Sequence, residues 1–304
     1  MNIVLAGCTG FIGASLAQKL SEEGHSLILL ARDSEKARGR APRGTRVEEW
    51  DGASQGPLMA AVNGADAIIN LAGAPVAQRW TSAHKRRIRE SRLGSTKALV
   101  AAIAAVKVKP KTLLNASGVG YYGDGADAEL SEETPAGRGF LAEVCRDWEV
   151  EAARAEASGV RVVSLRIGVV LEKDGGALAK MLPPFYLFAG GPPGSGRQYF
   201  SWIHRDDVVG VALRALSDPA IRGPVNVTAP EPPMMKEFCA ALGRALGRPS
   251  WAPVPSFVLR LALGEMAEML LTGQRAAPKK LADSGFRFKY PSLDGALSAI
   301  LSER

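Results

Sequence analysis

Three glycines within seven residues constrain this chain more than any other feature. Gly7, Gly10 and Gly13 (Gly-Cys-Thr-Gly-Phe-Ile-Gly) lie directly between the apolar run Asn2 to Ala6 and a segment, Ala14 to Glu23, whose Leu16 and Leu20 repeat at helical spacing. A nearly continuous apolar run is what a parallel strand covered on both faces requires. A turn from such a strand into a helix must be tight, must bring backbone close to a pyrophosphate without an intervening Cβ, and must let the helix pack on the strand. The helix N-terminus then holds the phosphates through its free amides and dipole. Three glycines alone are a weak signal in a chain with 33 of them; their place between strand and amphipathic helix makes the signal specific. The spacing predicts a dinucleotide site at Gly7, Thr9, Gly10, Phe11, Ile12 and Gly13.

The alternation continues. His25 to Ala31, Ala67 to Leu71, Lys111 to Ala116 and Arg161 to Leu165 read as strands, with helical segments near Ser82 to Val106 and Gly139 to Ser158. Strands alternating with helices of ten or more residues describe βαβ units, so the fold class is α/β, a Rossmann-type doubly wound parallel sheet. After Gly168 the texture changes. Prolines and glycines crowd 183–196, which cannot be regular structure for long, with Gly190 to Gly196 forming a mobile wall over a substrate cleft. Asp206 to Ala215 is helical, Pro224 to Thr228 is a strand, and 229–304 is helical between prolines. With 304 residues and 46% hydrophobic content, the expected division is a nucleotide-binding domain over 1–170, to which 203–228 returns, and a smaller, mostly helical substrate-binding lobe over 171–304.

Several classes are excluded. No apolar run approaches the roughly 18 residues of a membrane span, and MNIVLAGCTG lacks the basic start of a signal peptide. The net charge of +7 is concentrated only at His84 to Arg92, which contains Glu90 and no interleaved aromatics, so no nucleic-acid partner is expected. Cys8, Cys145 and Cys239 are far apart and form no CxxC pair, which argues against disulfides and metal sites and for a reducing, cytoplasmic setting.

Cofactor choice is read at the end of the second strand, Leu30-Ala31-Arg32-Asp33. An acid there accepts from a ribose 2′-hydroxyl, whereas an arginine accommodates a 2′-phosphate. Arg32 comes first, Arg38 is near, and a guanidinium grips phosphate in bidentate fashion. NADP(H) is therefore expected ahead of NAD(H), with Asp33 either capping the following helix or accepting from the ribose.

The glycine turn, Asn70-Leu71-Ala72-Gly73, Ser117 with Tyr122-Gly123, and Trp202-Ile203-His204 with Asp206-Asp207-Val208 occur in an order that resembles the extended short-chain dehydrogenase/reductases of the epimerase/dehydratase group. Arg79-Trp80-Thr81, Glu90-Ser91-Arg92, Gly120-Tyr121-Tyr122-Gly123, Phe140 to Cys145 with Trp148-Glu149, and Gly273-Gln274-Arg275 with Pro278 to Leu281 resemble an atypical branch, often called epimerase family proteins, with its C-terminal domain of unknown function. The resemblance implies NADP(H) under the glycine turn, with Leu71, Ala72 and Gly73 near the adenosine ribose and diphosphate. It places Ser117, Arg166 and Gly168 beside the nicotinamide. It also implies an unidentified small-molecule substrate and homodimers through helices flanking the sheet.

Hydride chemistry at a carbinol or carbonyl needs a proton donor and acceptor at the reacting oxygen. In the resembled family a tyrosine serves, with a lysine four residues later, yet no Tyr-x-x-x-Lys occurs in this chain. The family spacing puts the pair near Leu141 and Cys145. Ser117, Tyr121 and Tyr122 are the candidate catalytic residues in their place, with Cys145 and His204 behind them. Lys85 is a further cleft candidate, and Arg197 and Arg205 are candidate anion contacts. Two functions follow: an epimerase- or oxidoreductase-like NADP(H) enzyme, or a catalytically silent NADP(H)-binding sensor.

Overall fold

The computed structural model describes residues 1–302. The chain runs β1 (Asn2–Ala6), α1 (Phe11–Glu22), β2 (Ser26–Ala31), α2 (Ser34–Arg38), β3 (Arg46–Glu49), α3 (Gly56–Val62), β4 (Ala67–Asn70), α4 (Ser82–Ala105) and β5 (Thr112–Gly118). A 3-10 turn over Val119–Tyr122 leads to β6 (Glu129–Leu130), α5 (Phe140–Ala153), β7 (Arg161–Ile167), β8 (Val169–Leu171) and α6 (Leu178–Tyr186). Then follow β9 (Trp202–His204), α7 (Arg205–Ser217), β10 (Gly223–Val227), α8 (Met235–Leu246) and α9 (Ser256–Leu263). The chain ends with α10 (Glu268–Leu271), β11 (Arg275–Ala276), α11 (Lys279–Asp283) and α12 (Leu293–Ser302).

Seven strands pair in the order β10-β7-β5-β4-β1-β2-β3, and every pairing is parallel. This is the Rossmann-type doubly wound sheet expected from the alternation. The winding reverses between β1 and β4, which opens a crevice at the carboxyl ends of those strands. The glycine turn leaves β1 at that point. One face is covered by α1 and α7 through Leu16, Leu20, Val208 and Val211. The other is covered by α3 and α4 through Leu58, Val62, Leu99 and Ile103. Such two-sided burial explains why the central strands are apolar throughout rather than alternating. The edge strand β3 (RVEE) is half-exposed, and so carries no apolar run that pattern reading detects.

A third core gathers Leu178, Leu182, Phe185, Trp202, Phe238, Leu242, Leu297 and Ile300 from α6, α8, α12 and β9. Regular structure reaches only a short way into 183–196, where α6 ends at Tyr186. Pro183 and Pro184 sit inside α6 and remove two backbone donors, yet the helix buries Leu178, Leu182 and Phe185 along one face. The Gly190–Gly196 segment is bonded backbone to backbone to 250–254: Trp251 N–H donates to Gly190 (2.9 Å), Val254 N–H to Pro192 (3.0 Å), and Gly194 N–H to Val254 (2.9 Å). Among the described residues no helix is long and apolar enough to cross a membrane.

Candidate functional site

The glycine turn has the geometry its sequence demands. Gly7 has φ +81, and a Cβ there would lie 2.6 Å from the Leu71 carbonyl carbon, so only glycine fits. A Cβ on Gly13 would run into the Gly7 carbonyl, which is the close helix–strand approach of this turn. Gly10 is the N-cap of α1, no side chain caps the helix, and its first turn contains no acid. The N–H groups of that turn are left for an anion. Thr9 is exposed beside them. Ile12 packs into the sheet core. Phe11 lies under the Gly175–Gly176 backbone, where a Cβ on Gly175 would sit 2.7 Å from its ring.

A cavity of about 520 Å³ opens at the carboxyl edge of the sheet, between Gly7, Thr9 and Gly10 on one side and Leu71, Ala72 and Gly73 on the other. Arg32 stands at its end and is exposed. The adjacent acid is already committed: Asp33 caps α2, its Oδ1 accepting from Lys36 N–H at 2.9 Å. Trp50, Asp51 and Gly52 also line the cavity. The sequence reading missed them because they follow β3, the strand it did not detect. Two backbone N–H groups, of Ala53 and Ser54, hold the Asp51 carboxylate below its ordinary pKa. A second concavity of about 460 Å³ lies at the opposite edge of the strands, near Asn2, His25 and Arg46. Ligands of open α/β sheets enter at the carboxyl ends, so the first cavity is the candidate.

Beyond it, the ends of β5 and β7 carry a buried ionic network. Arg166 is 2% exposed and meets Glu149 in bidentate fashion: Nε donates to Oε1 and Nη2 to Oε2, both at 2.9 Å. Its Nη1 donates to the Tyr122 hydroxyl (2.9 Å) and the Glu132 carbonyl (3.3 Å). Glu149 keeps the Arg166 guanidinium charged well above its ordinary range, against the burial that opposes it. Four of the five guanidinium N–H bonds are thus spent inside the protein. Ser117 Oγ donates to Glu149 Oε1 at 2.6 Å, and its hydroxyl is likewise committed.

The two tyrosines separate. Tyr122 is buried, its hydroxyl oxygen 2.6 Å from Asn226 Oδ1 and 2.9 Å from the Ser131 carbonyl, and burial raises its pKa. It joins β10 to the 119–132 segment, its hydroxyl engaged inside the protein. Tyr121 is half-buried, and its ring rests on the Arg166 guanidinium with 3.5 Å between Cζ and the ring centroid. Its hydroxyl makes no hydrogen bond among the described residues. Leu141 and Cys145 face the end of β5, next to Gly120 and Gly118. Burial, helped by Glu149, pushes the Cys145 thiol up to about 11, which removes it as a thiolate nucleophile near neutrality.

His204 is likewise engaged within the fold. It is 4% exposed, its Nδ1 accepts from Asp206 N–H (3.0 Å) as the N-cap of α7, and its ring lies 3.9 Å from that of Tyr290. Burial holds it at about 4, so it is a neutral cap. Asp207 accepts from the backbone N–H groups of Lys289 (2.6 Å) and Tyr290 (3.0 Å), so this stretch ties the C-terminal segment to the sheet. Gly168 is wedged between Ser201 and Thr228. Lys85 pairs with Glu265 (2.6 Å) and Arg205 with Glu172 (2.8 Å), while Arg197 is exposed. Glu149, Glu132 and Asn226 were not singled out from sequence; Glu149 alone left a trace, in the Trp148-Glu149 pair that carries the family resemblance.

Residues 3–227 match the NAD dependent epimerase/dehydratase family, and residues 254–300 match a domain of unknown function (DUF1731). A chloroplastic epimerase family protein SDR39U1 homolog of Arabidopsis thaliana is 43% identical over 306 residues, covering 99% of this chain and 87% of the relative. The epimerase family protein YfhF of Bacillus subtilis is 40% identical over 307 residues, covering 100% and 99%. Among solved structures, the human epimerase family protein SDR39U1 (isoform 2) with NADPH superposes with a TM-score of 0.89 at 35% identity, covering all of both chains.

Proposed function

Since the chain belongs to the NAD dependent epimerase/dehydratase family, we propose that it binds NADP(H) at the carboxyl edge of its sheet and carries out hydride chemistry on an unidentified small molecule. The observation that carries the cofactor choice is the division of labour at the end of β2. Arg32 is exposed at the cavity, while Asp33 is consumed as a helix cap. A ribose 2′-hydroxyl then lacks its usual acceptor, and a 2′-phosphate meets a guanidinium. The relative crystallised with NADPH supports the same choice. When bound, the cofactor supplies or takes the hydride. The glycine turn and the start of α1 hold its phosphates, and Leu71 to Gly73 bound the opposite wall. Tyr121 moves the proton at the reacting oxygen, its ring fixed on Arg166, which Glu149 fixes in turn.

The test is Arg32→Ala, with NADPH and NADH affinities measured by fluorescence titration. NADPH should weaken about tenfold or more, the worth of one charged hydrogen-bonding group, while NADH changes little. Equal losses for both nucleotides defeat the assignment. A second reading, a sensor that binds the cofactor without turnover, is supported by Leu141 and Cys145: the helix face turned to the end of β5 offers neither a phenol nor an amine there.

A further inference from the structure

We infer that the end of α6, the 250–254 segment bonded to it and α9 form a docking face for a membrane surface rich in anionic phospholipid. Apolar side chains stand outward there. Tyr186, Leu187 and Phe188 are 49%, 77% and 54% exposed, Trp251 is 69%, and Phe257 and Leu261 of α9 are 70% and 80%. At roughly 200 Å² per aromatic side chain, the four aromatics alone expose on the order of 500 Å². That is near the top of the roughly 300–600 Å² of the largest apolar patch on a typical monomer, and the two leucines add to it. No residue of α9 (SFVLRLAL) is buried, so packing within the fold does not account for its apolar sequence. The patch is held in place. The Trp251 indole N–H donates to the Phe188 carbonyl at 2.9 Å, and Arg248 lies over the Phe188 ring with 4.5 Å between Cζ and the centroid. Phe188 has φ +59, a left-handed backbone that a bulky residue rarely adopts, and it still presents its ring to solvent. The chain passes from Val254 into α9 at Ser256, and Phe257 and Leu261 follow one turn apart on one face.

Charge selects the occupant. Residues 178–200 and 238–264, which build the patch, contain Lys180, Arg197, Arg244, Arg248 and Arg260 and no acid. Lys180 is exposed two turns before Leu187, and Arg260 is exposed beside Leu261. The acids that reach these cations come from outside both segments: Asp294 meets Arg244 at 3.1 Å and Glu268 meets Arg260 at 3.3 Å. All four of those side chains are exposed, so solvent screens the pairs. Glu265, the first acid after α9, is turned to Lys85 of α4. A second copy seated on this patch by two-fold symmetry would bring the patch against itself, cation facing cation, which like-charge juxtaposition opposes. An anionic lipid surface attracts the same cations. Tryptophan and tyrosine settle at the headgroup level, and leucine and phenylalanine enter the acyl boundary. Lying on a membrane is a different demand from crossing one, and the lack of a long apolar helix among the described residues bears only on crossing.

The test is flotation of the full chain with phosphatidylcholine vesicles, made with and without phosphatidylglycerol, alongside tryptophan fluorescence and sedimentation velocity. Wild type should float with the phosphatidylglycerol vesicles and not with phosphatidylcholine alone. Its emission should shift to the blue on binding, because Trp251 is exposed while Trp50, Trp148 and Trp202 are buried; Trp251→Phe should float and lose that shift. Leu187→Ser with Leu261→Ser should weaken vesicle binding tenfold or more. Lys180→Gln with Arg260→Gln should weaken it about tenfold and reduce its sensitivity to salt. All four side chains are exposed, so far-UV circular dichroism and the urea midpoint should stay at wild-type values. Wild type that remains in the soluble fraction overturns the inference, as does flotation that both double variants leave undiminished. A wild-type dimer that does not float, and that the double serine variant disperses to monomers, assigns the face to a second copy and overturns it as well.

Discussion

Replacing Glu149 by glutamine probes the network under Tyr121 with little change of shape. Arg166 and Glu149 expose 3% and 12% of their side chains, so solvent screens the pair little, and two charged hydrogen bonds of 2.9 Å join them. Glutamine leaves one carbonyl acceptor and removes the charge. The guanidinium then remains buried with a phenol, a peptide carbonyl and an aromatic face, none of which neutralises it. Breaking one side of a buried pair costs about 3–5 kcal/mol, and the surviving acceptor places Glu149→Gln near 3 kcal/mol. Removing both charges is a different operation. In Glu149→Leu with Arg166→Met the desolvation of both ions disappears, and the residual loss is about 1–2 kcal/mol from the bonds that Ser117 and Tyr122 forfeit. Urea unfolding followed by tryptophan fluorescence measures both, with the m-value as the check that the same surface unfolds. The two single apolar substitutions and their combination close a cycle whose coupling should exceed about 2 kcal/mol. A Glu149→Gln loss below about 1 kcal/mol, or single losses that simply add, refutes the reasoning.

Two further outcomes are expected. His204 is held at about 4 against an ordinary 6.5, so between those values the unfolded chain binds the proton that the folded chain refuses. Stability from this residue is complete above pH 6.5 and drains away as pH falls toward 4, by about 3 kcal/mol in all. His204→Asn retains a good N-cap and should flatten that slope; parallel stability–pH curves would contradict the assignment. Tyr121→Phe keeps the ring on Arg166 and removes only the hydroxyl. NADPH affinity should hold, while NADPH oxidation against a panel of carbonyl compounds falls about a hundredfold or more; undiminished turnover would exclude Tyr121 as the proton-transfer group.

The tyrosine pair shows where pattern reading stops. Tyr121 and Tyr122 are adjacent, identical and equally eligible in the sequence. Their roles diverge because Asn226, 104 residues away, meets one hydroxyl, and nothing among the described residues meets the other. The same holds for Arg166, read as a cofactor contact from its place at a strand end. The helical position of Glu149, on α5, turns it inward.

What the sequence determined by itself rests on short-range constraint. A glycine turn between an apolar strand and an amphipathic helix has few alternatives, because sterics within seven residues decide it. The alternation that follows commits the chain to a parallel sheet, because only two-sided burial suits such strands. The cofactor preference was legible for the same reason, since Arg32 and Asp33 follow the strand that presents them. The tertiary structure alone decided which polar groups are spent and which are free. That depends on partners brought together by the sheet's winding, and burial makes each pairing an exclusive choice: a hydroxyl or guanidinium satisfied inside the protein has nothing left to offer a ligand.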